Sequence, residues 1–342
     1  MIKYFFVNFD SNIIKGFVMI VVTGGAGFIG SAVVWKLNQL GEDNILIVDE
    51  LGKDEKWKNL VPLDYTNYYN KHKFLEKILD DSFNFTIDSI IHLGANSSTT
   101  EKDADHLMTN NFEYSKHLST YCLKNGIRFI YASSAATYGD GANGFHDSNE
   151  LCKILRPLNM YGYSKNLFDQ WALKKGILNK IVGIKYFNVF GPNEAHKGDM
   201  RSVVHKAYEQ IKANGKVNLF KSRNPNYNDG EQMRDFIYVK DAVDMTLHFL
   251  EHKELHGLFN VGSGRARTWN DLVTAIVKAL DMPVNIEDID MPDHLAEKYQ
   301  YFTEADIKKI INSGYTKQLK SLESSVEDYV KNYLLVGKYL GD

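Results

Sequence analysis

A glycine-rich turn near the amino terminus constrains the fold more than any other feature of the chain. Gly24, Gly27 and Gly30 follow the apolar run 19–22 and precede segment 31–37, whose apolar residues have helical spacing. This order of strand, turn and helix is typical of dinucleotide-binding domains, because the glycines let a pyrophosphate approach the free N–H groups of the helix. Glycine-rich turns also join strands to helices without binding a ligand, so a second observation is needed.

The rest of the chain alternates between apolar strands and helical segments. Further strands are predicted at 44–49, 88–93, 128–133 and 181–188, and the clearest helices at 105–125 and 161–179. This alternation is typical of an α/β protein with a doubly wound parallel sheet. We therefore predict a Rossmann fold.

The composition changes after the Gly-Pro dipeptide at 191–192, which cannot continue a strand ladder and predicts a domain boundary. A helix at 202–213, a polar loop at 222–231 and a short element at 234–239 follow. We predict a Rossmann domain over residues 19–191 and a smaller α+β substrate-binding lobe over 192–342, with some segments returning to the core. Residues 1–18 are predicted to be a non-native or disordered extension, because the first strand begins directly at residue 19.

The composition narrows the classes of partner. The 342 residues carry a net charge of -3, so no basic surplus favours binding to nucleic acid or to an anionic membrane. The longest apolar runs are well short of the roughly 18 residues that a membrane span needs. Cys122 and Cys152 have neither a zinc-ligand spacing nor a neighbouring histidine cluster, so we predict no metal site. A reducing cytoplasm is the predicted location.

An acidic residue at the end of the second predicted strand bears on the choice of cofactor. Asp49 follows Gly30 by nineteen residues, where a carboxylate usually accepts hydrogen bonds from an adenosine ribose, and this favours NAD. Lys53, Lys56 and Lys71 follow, and each could instead neutralise the 2′-phosphate of NADP. The residues by themselves leave NAD and NADP open.

A Tyr-x-x-x-Lys pattern supplies the second observation. It occurs at 69–73, 161–165 and 208–212, but only Tyr161 lies on the helix after the fourth predicted strand, whose end carries Ser134. Positions i and i+4 share a helix face, so Lys165 can lie beside the Tyr161 hydroxyl and lower its pKa. Ser134 can hydrogen-bond the same substrate oxygen. The residues therefore predict a base for hydride transfer from an alcohol, the alternative being an exposed tyrosine with an unrelated lysine.

From residue 19 to about residue 333 the chain resembles the extended short-chain dehydrogenase/reductase superfamily, and within it the ADP-L-glycero-D-manno-heptose 6-epimerase family. The similar segments are 93–101, 131–139, 186–192, 194–198 and 299–303. The resemblance implies inversion of C6 of ADP-D-glycero-β-D-manno-heptose, by transient oxidation and reduction with tightly held NADP, for lipopolysaccharide core heptose. It also implies a homo-oligomer, commonly a pentamer.

The resemblance also implies roles for individual residues. Tyr161 and Lys197 match the two acid/base groups of the family, with Ser134 and Lys165 completing the catalytic set. The matching cofactor contacts are Gly24, Gly27, Phe28, Ile29, Gly30, Asp49, Glu50, Lys56, Lys71, Leu93, Gly94, Ala95, Asn96, Ser97, Asn110, Lys165, Val189 and Lys197. The matching substrate contacts are Asn188, Asp199, Lys206, Phe220, Arg234 and Tyr299. The alternatives without a function in the site are that Lys197 is an ordinary loop lysine and that Arg234 forms a surface ion pair with Asp235 or Glu231.

Departures from the family pattern keep other readings open. Asp199 stands where the family has Ser, Lys206 where it has His, and the loop 224–232 is enlarged. A UDP-hexose 4-epimerase would share the fold and the Tyr161 and Lys165 pair. A 4,6-dehydratase is disfavoured, because Ala135, Ala136 and Thr137 offer no carboxylate for the elimination of water. A redox-sensing module without chemistry would not need Ser134, Tyr161 and Lys165 together.

Overall fold

The computed structural model describes residues 18–296 and 299–342, so the extension predicted at 1–18 lies almost entirely outside the described residues. In chain order the strands are β1 Val18–Thr23, β2 Ile45–Asp49, β3 Asn67–Asn70, β4 Thr86–His92, β5 Arg128–Ser134, β6 Val182–Tyr186, β7 Asn188–Phe190, β8 Val217–Phe220, β9 Met233–Tyr238, β10 Gly257–Val261, β11 Ala266–Thr268 and β12 Ile286–Ile289. The α-helices are α1 Phe28–Gln39, α2 Lys71–Asp80, α3 Ala104–Leu107, α4 Tyr114–Asn125, α5 Met160–Lys174, α6 Val203–Asn214, α7 Val239–Glu251, α8 Trp269–Ala279, α9 Asp293–Ala296, α10 Lys308–Asn312 and α11 Leu322–Tyr329.

Seven of these strands form one parallel sheet in the order β10-β6-β5-β4-β1-β2-β3. The order reverses between β1 and β4, because β2 and β3 extend the sheet on one side and β5, β6 and β10 on the other. Ligands of such sheets bind outside the carboxyl ends of the strands at this switch point. The predicted doubly wound Rossmann fold is confirmed.

Both faces of the sheet are apolar. Adjacent residues of a strand point to opposite faces, so a strand of consecutive apolar residues contributes to two clusters. In β1, Val22 packs into one cluster with residues of α1 and α7, whereas Val21 packs into another with residues of α2, α4 and α5. Both valines are fully buried. The sheet is thus covered by helices on both faces, as parallel sheets require.

The predicted elements differ from the observed ones mainly at their ends. The helix predicted at 105–125 is divided, because a π-helical turn at Met108–Glu113 separates α3 from α4. The strand predicted at 181–188 ends at Tyr186, and Asn188–Phe190 pairs with β9 in a second, three-stranded sheet instead. Strand β3 escaped prediction, since Asn67 and Asn70 at its ends are exposed and polar.

The carboxyl-terminal part supplies β8, β9, β11 and β12 to two small sheets, and β10 to the edge of the large one. The division at residue 191 into a dinucleotide-binding domain and a substrate-binding lobe stays a prediction. Across the described ranges, no helix combines the length and apolar character needed to cross a membrane.

A buried guanidinium joins the start of β5 to the end of α7. Arg128 is 7% exposed, and its nitrogens donate to the carbonyl oxygens of Phe249 at 2.9 and 3.1 Å, Lys253 at 3.1 Å and Leu255 at 2.8 Å. These oxygens lie in and after the last turn of α7, where carbonyls lack partners within the helix. A cation there also opposes the negative end of the helix dipole.

We expect Arg128→Met to lower the free energy of unfolding by about 2–4 kcal/mol, because it leaves several buried carbonyls unpaired. Urea unfolding followed by circular dichroism measures this change. Lys124→Met is the matched control, since the exposed ion pair of Lys124 with Asp81 contributes about 1 kcal/mol or less. Equal stabilities of the two variants would contradict the capping role of Arg128.

Candidate active site

Two adjoining cavities, of about 690 Å³ and about 230 Å³, lie at the carboxyl ends of β1, β2 and β4. Both are bordered by Gly24, Asp49, Lys56 and the stretch 94–96. The larger cavity has a size typical of ligand sites. The position is the one that the strand order singles out for a ligand.

Backbone packing forms the floor of the larger cavity. Gly24 has φ +68°, and a Cβ on it would lie 2.7 Å from the nitrogen of Gly94. A Cβ on Gly30 would lie 2.0 Å from the carbonyl oxygen of Gly24, so α1 approaches the turn as only glycine permits. Gly27 caps α1 without a side chain, and the first turn of the helix has no acidic residue. The first N–H groups of α1 therefore face the cavity rim unblocked by a side-chain cap, and suit an anion.

The carboxylate of Asp49 ties this turn to the second strand. One oxygen accepts from the backbone nitrogen of Ala26 at 2.9 Å. The other accepts from the backbone nitrogen of Glu50 at 2.7 Å and from the ammonium of Lys56 at 3.0 Å. Asp49 therefore has a structural role in addition to the predicted cofactor contact, and it borders both cavities.

The smaller cavity is bordered by acidic and basic side chains that form ion pairs with one another. Lys71 forms an ion pair with Glu50 at 2.5 Å and donates to Asn110 at 3.0 Å. The hydrogen bond from Lys71 holds the pKa of Glu50 below its usual value. Lys53 is exposed and borders neither cavity. Since Lys56 and Lys71 are each paired with a carboxylate, their charges alone do not decide between NAD and NADP.

Helix α5 brings Tyr161 to the end of β5. The helix begins after Asn159, whose side chain accepts from the nitrogen of Gly162 at 2.8 Å. A Cβ on Gly162 would lie 2.6 Å from the carbonyl oxygen of Ala136, so the helix start packs directly on the turn after β5. Burial raises the pKa of Tyr161, and a hydrogen bond with Ser134 opposes that rise. The structure thus brings Tyr161 and Ser134 together, but the pKa of Tyr161 is raised by burial, contrary to the lowering by Lys165 that was predicted.

Lys165 lies one turn further along α5 and also borders the larger cavity. Its ammonium donates to the carbonyl oxygen of Ala132 at 2.8 Å, and burial lowers its pKa to about 8. In the described residues its hydrogen bond is to this carbonyl and not to the Tyr161 hydroxyl, which differs from the arrangement expected. A buried ammonium requires an acceptor, and Ala132 supplies one on the neighbouring strand.

A buried ion pair supports this side of the cavity from below. The Asp169 carboxylate accepts from Lys185 at 2.7 Å, from the Tyr131 hydroxyl at 2.8 Å and from the Ser133 hydroxyl at 2.7 Å. Lys185 also donates to the Thr137 hydroxyl at 2.7 Å. The network joins α5, β5 and β6 beneath the catalytic candidates. No sequence pattern predicted this network, although Asp169 follows Lys165 by four residues on the same helix face.

Lys197 enters the larger cavity from the loop between β7 and α6. Its ammonium lies 5.5 Å from the centre of the Phe28 ring in the glycine-rich turn. Burial lowers the pKa of Lys197, and the nearby carboxylate of Glu194 raises it. The loop lysine therefore faces the same cavity as Tyr161 but comes from a different structural element. His196, beside it, also borders the cavity and was not among the predicted site residues.

The predicted substrate contacts divide into two groups. Asn188 borders the larger cavity, whereas Asp199, Lys206, Phe220, Arg234 and Tyr299 border neither cavity. Asp199 is exposed, and Lys206 donates to its backbone oxygen at 3.3 Å. A role of these five residues in substrate binding stays a prediction.

Arg234 is buried between two aromatic rings. Its guanidinium carbon lies 5.6 Å from the ring centre of Trp269 and 5.2 Å from that of Tyr299. The indole N–H of Trp269 donates to the Tyr299 hydroxyl at 2.9 Å. The Asp235 carboxylate accepts from backbone N–H groups, and Glu231 accepts from the side chain of Asn228 at 2.8 Å. The suggested surface ion pair of Arg234 with Asp235 or Glu231 does not form in the described part of the chain. Trp269 borders the larger cavity and was missed, because a lone tryptophan carries no sequence signal for a site.

Most other predicted residues come together. The larger cavity is bordered by Gly24, Gly27, Phe28, Ile29, Gly30, Asp49, Lys56, Leu93, Gly94, Ala95, Asn96, Ser97, Ser134, Tyr161, Lys165, Asn188, Val189 and Lys197. The smaller cavity is bordered by Glu50, Lys71 and Asn110. The other two Tyr-x-x-x-Lys patterns, at 69–73 and 208–212, supply no tyrosine to either cavity.

Known proteins resemble the chain over most of its length. The model of the NAD dependent epimerase/dehydratase family matches residues 20–262. A curated protein of Nitratidesulfovibrio vulgaris strain DP4, named ADP-L-glycero-D-manno-heptose-6-epimerase, is 54% identical over 316 residues, which are 92% of this chain and 98% of that protein. A protein of the same name from Fusobacterium nucleatum subsp. nucleatum is 49% identical over 325 residues, 92% of this chain and 98% of its own length.

Solved structures agree with this relationship. The crystal structure of Helicobacter pylori ADP-L-glycero-D-manno-heptose-6-epimerase is 27% identical, with a TM-score of 0.76, and the match covers 92% of this chain and 96% of that one. The Thermotoga maritima UDP-glucose 4-epimerase structure is 25% identical, with a TM-score of 0.75, over 94% and 100% of the two chains. The chain therefore belongs to the NAD dependent epimerase/dehydratase family and, within it, to the ADP-L-glycero-D-manno-heptose-6-epimerases, which are isomerases.

Proposed function

We propose that this enzyme interconverts ADP-D-glycero-β-D-manno-heptose and ADP-L-glycero-β-D-manno-heptose by inverting C6 with bound NADP. The observation that carries the proposal is the presence of Tyr161 and Lys197, from separate elements, on one cavity next to the glycine-rich turn. The names of the relatives at 54% and 49% identity support the choice of substrate. Family resemblance alone supports a cytoplasmic homo-oligomer, such as a pentamer, that supplies lipopolysaccharide core heptose.

The residues at the turn fit a dinucleotide. Gly24 and Gly30 leave no room for a side chain on the cavity floor, and the start of α1 offers uncapped N–H groups to a pyrophosphate. The chemistry that such a cofactor supplies when bound is the acceptance of a hydride from C6 and its return to the other face of the carbon. This fit supports a nicotinamide dinucleotide without distinguishing NAD from NADP.

The protein's own groups then handle the proton on the C6 oxygen. Oxidation of the alcohol releases this proton, and reduction of the ketone requires one, so a group must accept it and a group must donate it. Tyr161 can do so through its phenol oxygen, with Ser134 as its hydrogen-bond partner. One phenol does not reach the oxygen in both poses of an inverted centre. We assign the second pose to Lys197, whose pKa is lowered by burial toward the working range.

The preference for NADP comes from the family resemblance, and Lys56 and Lys71 at the smaller cavity are compatible with it. Each lysine can exchange part of its interaction with Asp49 or Glu50 for an added phosphate, because an ammonium has three donors. The family resemblance adds the direction of the preference.

The first test is incubation of the purified protein with ADP-D-glycero-β-D-manno-heptose, without cofactor and then with NADP or NAD. We expect conversion to the L-glycero isomer, followed by NMR of the C6 proton, and faster conversion with NADP than with NAD. Bound cofactor without conversion would contradict the proposed substrate. Conversion of a UDP-hexose at C4 under the same conditions would favour the 4-epimerase alternative.

We expect Tyr161→Phe and Lys197→Met each to lower kcat by about 100-fold to 10,000-fold, the usual effect of removing a general acid or base. Binding of NADP, measured by fluorescence titration, should stay largely intact. Tyr163→Phe and Lys212→Met are matched controls, because both residues are exposed and border neither cavity. A rate near that of the wild type in Lys197→Met would refute the second acid/base group.

We expect Lys71→Met to weaken NADP binding by about tenfold to a hundredfold, since a hydrogen bond to a charged group is worth about 1.5–3 kcal/mol. Binding of NAD, which lacks the phosphate, should change far less. Titration calorimetry with both cofactors measures the ratio, and Lys53→Met, a change in an exposed lysine outside both cavities, is the control. An equal loss for both cofactors would place Lys71 elsewhere than at the phosphate.

A further inference from the structure

The loop that carries Lys197 is tied at both ends by one buried carboxylate. Glu194 is 1% exposed and lies between the end of β7 and the start of α6. Its side-chain oxygens accept from the backbone nitrogen of Gly191 at 3.3 Å, and from the backbone nitrogen and hydroxyl of Ser202 at 2.5 and 2.7 Å. Its own carbonyl oxygen accepts from the nitrogen of Lys197 at 3.0 Å. The span from 191 to 202 is thereby closed around this side chain.

The first half of the loop is also fixed against the glycine-rich turn. The buried side chain of Asn59 donates to the carbonyl oxygens of Ala26 and Asn193, each at 3.0 Å. The side chain of Asn193 donates to the Ser31 hydroxyl at 3.0 Å. These bonds hold residue 193 in place, so the hydrogen bonds of Glu194 to Ser202 determine where the second half of the loop returns.

The charges around the loop make Glu194 the counterpart of Lys197. The Glu194 carboxylate raises the pKa of the Lys197 ammonium, which burial lowers. Burial raises the pKa of Glu194 itself, while the hydrogen bonds from Ser202 and Gly191 and the charge of Lys197 lower it. The pKa of Tyr329 on α11 is raised by the charge of Glu194 and lowered by that of Arg201. The charge of Lys197 lowers the pKa of the adjacent His196. The carboxylates of Asp54 and Asp49 raise the pKa of His196, and the ammonium of Lys56 lowers it.

We propose that Glu194 is a positioning residue for Lys197, fixing the loop on which the ammonium stands and supplying the negative charge beside it. The proposal rests on the role of Lys197 in the function proposed above. It extends that function by assigning a task to a residue that borders neither of the two cavities.

The sign of the effect follows from the two charges. A carboxylate near an ammonium stabilises the protonated form, so removing it lowers the pKa of Lys197 further. The ammonium would then lose its proton at a lower pH than in the wild type. A limb of the pH profile that belongs to Lys197 should therefore move to lower pH in Glu194→Gln.

The direct test is an NMR titration of the lysines after reductive methylation with ¹³C-formaldehyde, with Lys197→Met assigning the resonance. We expect Lys197 to titrate at lower pH in Glu194→Gln than in the wild type. Glu113→Gln, which removes an exposed carboxylate paired with Lys116, should leave the Lys197 titration unchanged. An unchanged titration in Glu194→Gln would overturn the proposal.

Kinetics supply a second readout. We expect kcat in Glu194→Gln to fall by up to about 100-fold, the scale of a small misplacement of a reacting group, with its pH limb shifted as above and NADP binding retained. A fall in kcat with an unmoved limb would leave Glu194 a purely structural residue and overturn the proposal.

If Glu194→Gln does not fold, the conservative variant Glu194→Asp tests the same proposal. Glu194→Asp keeps the charge and shortens the reach, so Lys197 should titrate near its wild-type pH while kcat falls. Wild-type kcat in this variant would overturn the positioning role. Because the NMR titration needs no substrate, failure of the wild type to convert ADP-heptose would count against the proposed function and leave the coupling of Glu194 to Lys197 separately measurable.

Discussion

The close contact of α1 with the glycine-rich turn is the constraint on which the site depends. A side chain on Gly30 would meet the carbonyl oxygen of Gly24 at 2.0 Å, so the helix could not begin where it does. The larger cavity opens over this contact, and Asp49 holds the turn in place through the nitrogen of Ala26. Tyr161 and Lys197 border the same cavity as the glycine residues of this turn.

Local patterns predicted the parts of the molecule that depend on neighbours in sequence. The Rossmann fold and its main strands follow from apolar runs and turns, and the placement of Tyr161 and Ser134 on one cavity follows from a helix placed after a strand. Family similarity, rather than residue chemistry, singled out Lys197. What escaped prediction depends on contacts between distant segments. Asn59 donates to the carbonyl oxygen of Asn193, 134 positions away in the sequence. The Lys165 ammonium donates to the carbonyl oxygen of Ala132, 33 positions away, and not to the Tyr161 hydroxyl as predicted.

The two proposed proton-transfer residues differ in how they are held. Tyr161 stands on a long helix that packs directly on the turn after β5, where Gly162 meets Ala136. Lys197 stands on a loop that contains a positive φ at both Asn193 and Gly198 and is closed by side-chain hydrogen bonds. One group thus derives its position from helix packing and the other from a polar network. Polar networks in a low-dielectric interior hold geometry well only when every member is paired.

The buried pair of Asp169 and Lys185 has a consequence for how the sequence can change over time. Both side chains are at most 2% exposed, so replacing either alone leaves an uncompensated charge in the interior, which typically costs about 3–5 kcal/mol. An apolar pair could fill the same space, but a lineage would reach it only by passing through a damaged intermediate. The two positions are therefore expected to be inherited together and to vary together across descendants of this chain.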